Sequence, residues 1–96
     1  MVDRFIDVVR KKRSEALGQL IIQANELLDD GVWEKVQEEI LEAAADGQPG
    51  IDVVLNDYAA HPTLKRLSGV ELQRRLRLEG FHTHFNVDRY EVRVDW

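Results

Sequence analysis

The chain has 96 residues and a mass of 11.1 kDa, which is enough for one domain but not for a second packed core. Hydrophobic residues make up 44% and charged residues 32%, a balance typical of a folded globular chain rather than a disordered or membrane-embedded one. The formal charge of -5 argues against bulk electrostatic binding to nucleic acid. The absence of Cys excludes disulfides, thiolate metal sites and cysteine nucleophiles.

The N-terminal residues contain acids and a basic run but no uninterrupted apolar segment of the kind found in secretory signals. No apolar run approaches the roughly 20 residues needed to span a bilayer. We therefore expect a cytoplasmic protein with no membrane partner.

The first helix is predicted from about Asp3, its expected N-cap, to Leu28, because apolar residues recur at three- and four-residue steps. Such a helix would be about 39 Å long and would project beyond a domain with a radius of gyration of about 12–13 Å. Either Gly18 marks a bend, or the helix packs against another copy or another protein, which we favour. The predicted interface consists of Phe5, Val9, Leu17, Leu20, Ile21, Ala24 and Leu28.

A second helix is expected to begin at an Asp30 N-cap and to end before Asp46 and Gly47. Its predicted core stripe comprises Trp33, Val36, Ile40, Leu41 and Ala44, and its solvent face comprises Glu34, Glu38, Glu39 and Glu42. Residues 51–58 fit either a strand or a helix, and their β-branched content favours a short strand at about 51–55.

The third helix is predicted from a capping box in which Ser68 and Glu71 satisfy each other's free amides. Ala60-His61-Pro62 before it is predicted to be a loop, since a residue preceding proline is pushed away from helical geometry. The helix is expected to stop at Gly80.

A β-hairpin is predicted from two alternating runs, residues 81–85 and 90–96, with Phe85 paired to Tyr90. One face then carries Phe81, Thr83, Phe85, Tyr90, Val92 and Val94, and the other carries His82, His84, Glu91, Arg93 and Asp95. The expected fold is a single α+β domain over residues 1–96. Residues 1–30 form a long, oligomerising helix, and residues 31–96 form a core with a small antiparallel or mixed sheet packed on helices.

His82 and His84 are the residues most suggestive of a metal site, because side chains two apart on a strand point the same way. A third ligand could come from Asp88, Glu91, Asp95 or His61. Two histidines without a further ligand pattern more often form a solvated strand face, so we expect no metal and no cofactor. No nucleophile elbow, P-loop or paired-glycine turn is present, and the chain is expected not to be an enzyme.

Two basic clusters suggest contacts with anions. One comprises Arg10, Lys11, Lys12 and Arg13, and the other comprises Arg74, Arg75 and Arg77. Residues 29–60 between them hold nine acidic side chains and one basic side chain. The clusters could bind the phosphates of a nucleic acid. We favour instead that they form ion pairs with this acidic segment or take part in a protein interface.

The C-terminal part of the chain, from Glu42-Ala43-Ala44-Ala45-Asp46-Gly47 through Gly80-Phe81 to Val94-Asp95-Trp96, resembles small α+β proteins encoded by tailed bacteriophages. The resemblance covers about residues 40–96 and rests on structural motifs. It implies a virion accessory part or a protein of unknown function, in the host cytoplasm or the virion, and no catalytic residues carry over.

The favoured function is a non-enzymatic protein-binding or structural accessory protein, self-associated through its N-terminal helix as a homodimer or higher oligomer. The alternative is a small nucleic-acid-binding or polymerase-modulating protein that uses the two basic clusters. A third interpretation is a metal-dependent enzyme at His82 and His84.

Overall fold

The computed structural model describes residues 4–59 and 61–96. These residues form the helices α1 (Phe5–Leu27), α2 (Trp33–Ala45) and α3 (Pro62–Leu78) and the strands β1 (Gly50–Val54), β2 (His82–Asn86) and β3 (Glu91–Asp95). The strands make one antiparallel sheet in the order β1-β3-β2. The predicted α+β class and the short strand near residue 51 are confirmed.

Helix α1 is continuous over 23 residues and passes through Gly18 without a break. Its length is about 35 Å, and the molecule measures 64 Å along its longest axis against 24 Å along each of the others. The long first helix is therefore confirmed, and the alternative prediction of a bend at Gly18 is wrong. Arg4 occupies the N-cap position without a side-chain cap; the predicted cap, Asp3, lies outside the described residues.

The connection between α1 and α2 is a single π turn, Leu28–Val32, in which Gly31 has a φ of 123°. Only glycine adopts this left-handed geometry without strain, so the chain kinks there rather than ending in a loop. Asp30 lies inside this turn, and the residue before α2 is Val32, which makes no side-chain cap. The predicted Asp30 N-cap is wrong, because the residue that precedes α2 is Val32 and no side chain caps this helix.

Helices α2 and α3 both end in the same glycine-terminated motif. The amide of Gly47 donates to the carbonyl of Ala44, and that of Gln48 donates to Ala43. At the end of α3, Gly80 donates to Arg77 and Phe81 donates to Leu76. These bonds satisfy carbonyls that the helix itself leaves free, and the predicted stops at both glycines are confirmed.

Helix α3 begins seven residues earlier than the sequence suggests. Pro62 takes the first helical position, and Nδ1 of His61 accepts a hydrogen bond of 3.2 Å from the amide of Thr63. Ser68 consequently lies inside the helix and is buried, so the predicted capping box is wrong. The extended geometry of His61 before proline is confirmed; Ala60 lies outside the described residues.

The hairpin has the predicted faces but a register shifted by two residues. Phe85 pairs with Val92 and Asn86 pairs with Glu91. Oδ1 of Asn86 accepts the amides of Asp88 and Arg89 at 3.1 and 3.2 Å, and the four-residue turn runs from Val87 to Tyr90 instead of from Asn86 to Arg89. Tyr90 takes a φ of 52° in this turn instead of pairing with Phe85. Because the shift is even, every strand side chain keeps its face.

The core lies between one face of the sheet and the helices. It is formed by Leu28 of the turn between α1 and α2, by Leu55 directly after β1, and by residues of α2, β1, α3 and β3. Its fully enclosed members are Leu28, Val36, Ile40, Val53, Leu55, Leu72, Leu76, Val92 and Val94. Helix α1 packs on α3, α2 packs on β1, and α3 packs on β2 and β3. The opposite face of the sheet, which carries His82 and His84, is open.

Candidate docking surface

The N-terminal half of α1 stands clear of the rest of the molecule. Every residue from 4 to 16 is exposed, and Leu17 is the first that is half-buried. The helical part of this segment extends for about 18 Å beyond the point where packing begins. We call residues 4–16 the N-terminal arm.

The tip of the N-terminal arm is apolar. Phe5 is 83% exposed and Val9 is 46% exposed, and Ile6 and Val8 between them are exposed to a similar degree as Val9. Single exposed apolar residues are common on folded proteins, but four within five positions form a patch that marks a contact surface. This tip is the strongest indication of a binding surface on the chain.

A run of four cations follows the tip directly. Arg10, Lys11, Lys12 and Arg13 are all exposed, and among the described residues none of them lies in an ion pair. The only ion pair of the arm within the described part of the chain joins Arg4 to Asp7 at 3.5 Å. The arm therefore offers apolar contact and positive charge on one short helix.

The predicted interface residues divide into three groups in the structure. Ala24 and Leu28 are buried inside the chain's own fold, so they are not available to a partner in this conformation. Leu17 and Leu20 are half-buried on the part of α1 that packs on α3. Phe5, Val9 and Ile21 are exposed. The accessible surface is thus displaced towards the N-terminus compared with the predicted one.

The arginine cluster of α3 is engaged within the chain. Glu71 accepts hydrogen bonds from Arg74 at 2.6 and 2.9 Å and from Arg75 at 3.1 Å. Hydrogen bonds from Arg74, opposed by partial burial and assisted by hydrogen bonds from Arg75, hold the pKa of the Glu71 carboxyl below its ordinary value. Arg75 also pairs with Asp29 at 2.9 Å and lies over the ring of Trp33, which ties α3 to the start of the acidic segment.

Arg77 covers part of an outer edge of the sheet. Its guanidinium donates to Oγ1 of Thr83 at 2.8 Å and to the Thr83 backbone carbonyl at 3.4 Å. Strand β2 is an outer strand of the sheet, so this contact occupies a carbonyl that could otherwise pair with another chain. With Arg74, Arg75 and Arg77 engaged in this way, the nucleic-acid hypothesis rests on Arg10, Lys11, Lys12 and Arg13 and stays a prediction.

The histidine pair occupies an open strand face. His82 and His84 are exposed and lie opposite Asp95 and Arg93 in the register. Asp95 accepts a hydrogen bond of 3.0 Å from Arg93, and His61 serves as the cap of α3. Within residues 4–59 and 61–96 no three ligating side chains are grouped as a metal ion would require. Asp95 lies across from His82, but among the described residues the proposed third ligands do not complete a group of three with the histidine pair.

A second apolar surface was not expected from the sequence. Leu41, predicted as part of the buried stripe of α2, is 70% exposed. It borders a groove of about 220 Å³ between α2 and the end of α3. We call this surface the Leu41 patch; its lining residues are Trp33, Gln37, Ile40, Leu41, Leu76, Glu79 and Phe81. Ala44 is exposed as well, so the buried stripe of α2 is narrower than predicted.

The geometry of α2 explains why Leu41 is exposed although it was predicted to be buried. Val36 and Ile40 are one turn apart and both point into the core. Leu41 follows Ile40 directly and is therefore turned away from that direction by about 100°. Leu41 therefore lies at the edge of the buried stripe of α2 rather than within it.

Comparison of the chain with protein-family models, curated proteins and solved structures finds no match. The class of protein is therefore defined by its own fold: an α+β domain with a projecting helical arm. Among the described helices, none combines the length and apolar character needed to cross a membrane.

Proposed function

We propose that the protein is a non-enzymatic protein-binding or structural accessory protein that self-associates through its N-terminal arm. The observation that carries the proposal is the exposure of the four apolar side chains at the tip, on a helix that extends past its own packing partner. Covering such side chains is favourable; burying a single Phe or Val contributes about 1.5–3 kcal/mol. The phage resemblance of residues 40–96 supports an accessory role and remains part of the proposal.

The helical continuity of the arm with the packed part of α1 also supports binding. Its residues are held in one continuous helix with the part of α1 that packs on α3. A partner therefore meets a preformed surface and does not have to order a flexible segment, a cost that weakens binding by disordered chains. A second copy of the chain is the simplest partner, since a contact between identical copies can close with two-fold symmetry.

The test is the mass of the protein in solution, measured by light scattering at micromolar concentration. We expect the wild type to exceed the monomer mass and Val9→Asp to return to it, because a carboxylate cannot be buried in an apolar contact without a large cost. Leu20, one of the interface residues predicted from the sequence, is a poor site for this change because it is half-buried within the chain.

Ile22→Asp is the matched control. Ile22 lies on α1 and is 58% exposed, but outside the arm, so this variant should keep the wild-type mass. Both variants alter exposed positions and should unfold at the same denaturant concentration as the wild type when all three are measured at a protein concentration too low for association. A strictly monomeric wild type would contradict the proposal.

A further inference from the structure

The charge of the N-terminal arm restricts what can cover it. Residues 4–16 carry five basic and two acidic side chains, a formal charge of +3. Two arms packed on each other would bring these like charges together in an interface from which water is displaced, where their repulsion is stronger than in bulk solvent. Self-association through the arm is therefore more favourable if the arm meets an acidic surface of the second copy.

Helix α2 supplies the acidic surface. It carries four glutamates and one lysine, a formal charge of -3. Among the described residues none of these glutamates lies in an ion pair. Glu38 precedes Leu41 by three positions and therefore lies beside it on the helix surface. Glu79 lines the adjacent groove, so the Leu41 patch is apolar at its centre and acidic around it.

We propose that the N-terminal arm of one copy docks on the Leu41 patch of a second copy. This inference rests on the proposed self-association and names its receiving surface. Phe5, Ile6 and Val9 meet the apolar centre. Lys12 and Arg13, three and four positions after Val9 and therefore on the same side of the helix, meet the glutamates of α2. The arm of the same chain cannot take this place, because α1 is an unbroken helix whose first half extends away from its packing contacts.

A second exposed leucine gives an internal comparison. Leu78 on α3 is 74% exposed, almost the same as Leu41. It lines a groove of about 420 Å³ with Val70, Gln73, Arg74 and Arg77. Apolar contact alone would not separate these two sites. The arginines around Leu78 repel a basic arm, whereas the glutamates around Leu41 attract it, so charge selects the Leu41 patch.

The experiment uses disulfide formation between copies. Because the native chain contains no Cys, only the introduced cysteines can form disulfides. Three single variants are prepared: Val9→Cys, Leu41→Cys and Leu78→Cys. All three positions are exposed, so the substitutions leave the core intact. Two variants carrying different mass tags are mixed under mild oxidation, and the disulfide-linked pairs are quantified by non-reducing electrophoresis. Bridging requires the two Cα atoms to approach within about 7 Å.

We expect the Val9–Leu41 pair to form about tenfold faster than the Val9–Leu78 pair, and faster than Val9–Val9 pairs. The Val9–Leu41 rate should fall with added salt, because charge brings the surfaces together. A predominance of Val9–Val9 disulfides in an assembly above monomer mass would overturn the inference but leave self-association through the arm standing. Equal, slow rates for all pairs together with a monomer mass would overturn both.

Discussion

At the scale of single residues, a glycine allows close packing between a helix and the sheet. A Cβ placed on Gly69 of α3 would overlap the ring of Phe85 on β2. Gly69 therefore sets the distance between the helix and the strand. Nothing in the sequence marks this contact, since glycine in a helix pattern indicates only a weak position.

Gly69→Ala should destabilise the fold by about 1–3 kcal/mol, because the ring or the helix must move to admit the methyl group. Gly18→Ala is the matched control: Gly18 is also in a helix, and no other atom lies near its Cβ position. That substitution should stabilise the protein by about 0.5–1 kcal/mol through helix propensity. Urea denaturation measures both, and a Gly69→Ala protein as stable as Gly18→Ala would contradict the packing argument.

Ser68 shows why capping patterns mislead when they are taken alone. The Ser68–Glu71 spacing fits a capping box, yet the helix begins at Pro62 because proline at the first helical position leaves no amide unsatisfied. The hydroxyl of Ser68 is buried without a hydrogen-bond partner among the described residues. Glu71 is not a capping residue either, since its carboxylate binds Arg74 and Arg75.

The carboxylate of Glu71 gives the fold a defined acid response. Its pKa is lowered from 4.5 in the folded chain, first by hydrogen bonds from Arg74. A group with a depressed folded pKa stabilises the fold above its unfolded pKa, and this stabilisation is lost as the pH falls through the folded pKa. Glu71→Gln should therefore be less stable than the wild type at pH 7, and the difference should shrink as the pH falls below 4.5.

Urea unfolding of both proteins from neutral to acidic pH measures this difference. Glu79→Gln is a suitable control, since Glu79 is an exposed acid at the end of the same helix and is not one of the described ion-pair partners. A wild-type and Glu71→Gln difference that stays constant with pH would mean that the carboxylate does not contribute through its charge.

At the scale of elements, periodicity predicts what each segment is, and local hydrogen bonding decides where it starts and how it is paired. The hairpin faces follow from strict alternation along β2 and β3, so they are correct without knowledge of the turn. The register depends on Asn86, whose side chain accepts hydrogen bonds from two amides of the turn, and the turn lies one residue later along the chain than predicted. Asparagine forms such turns often but not always, so the sequence could not settle the pairing.

The candidate docking surface was likewise predictable from the sequence only in part. A helix too long for its domain follows from length alone, and the structure has it. Which of its apolar residues are covered depends on where α3 begins to pack, and that depends on the missed helix start at Pro62. The sequence therefore predicts the helix and part of its accessible face, but not the division at Leu17 between the arm and the packed half.

At the scale of the whole molecule, the long dimension of 64 Å includes a packed body and the N-terminal arm, whose residues are all exposed. If the arm is energetically independent, the helix can be interrupted inside it without loss of stability. Ser14→Pro tests this independence, since Ser14 is an exposed arm residue. A helix that restarts at this proline has it at the first position, where its missing amide costs nothing. The free energy of unfolding should change by no more than about 0.5 kcal/mol.

Gln23→Pro provides the comparison. Gln23 is also exposed, but it lies in the half of α1 that packs on α3, so the proline breaks a helix that the core requires. The expected loss is about 3 kcal/mol or more. Both variants should be compared by urea unfolding at a concentration too low for association, because self-association would add stability that depends on concentration. A large loss for Ser14→Pro under these conditions would show that the arm contributes to its own fold rather than serving a partner.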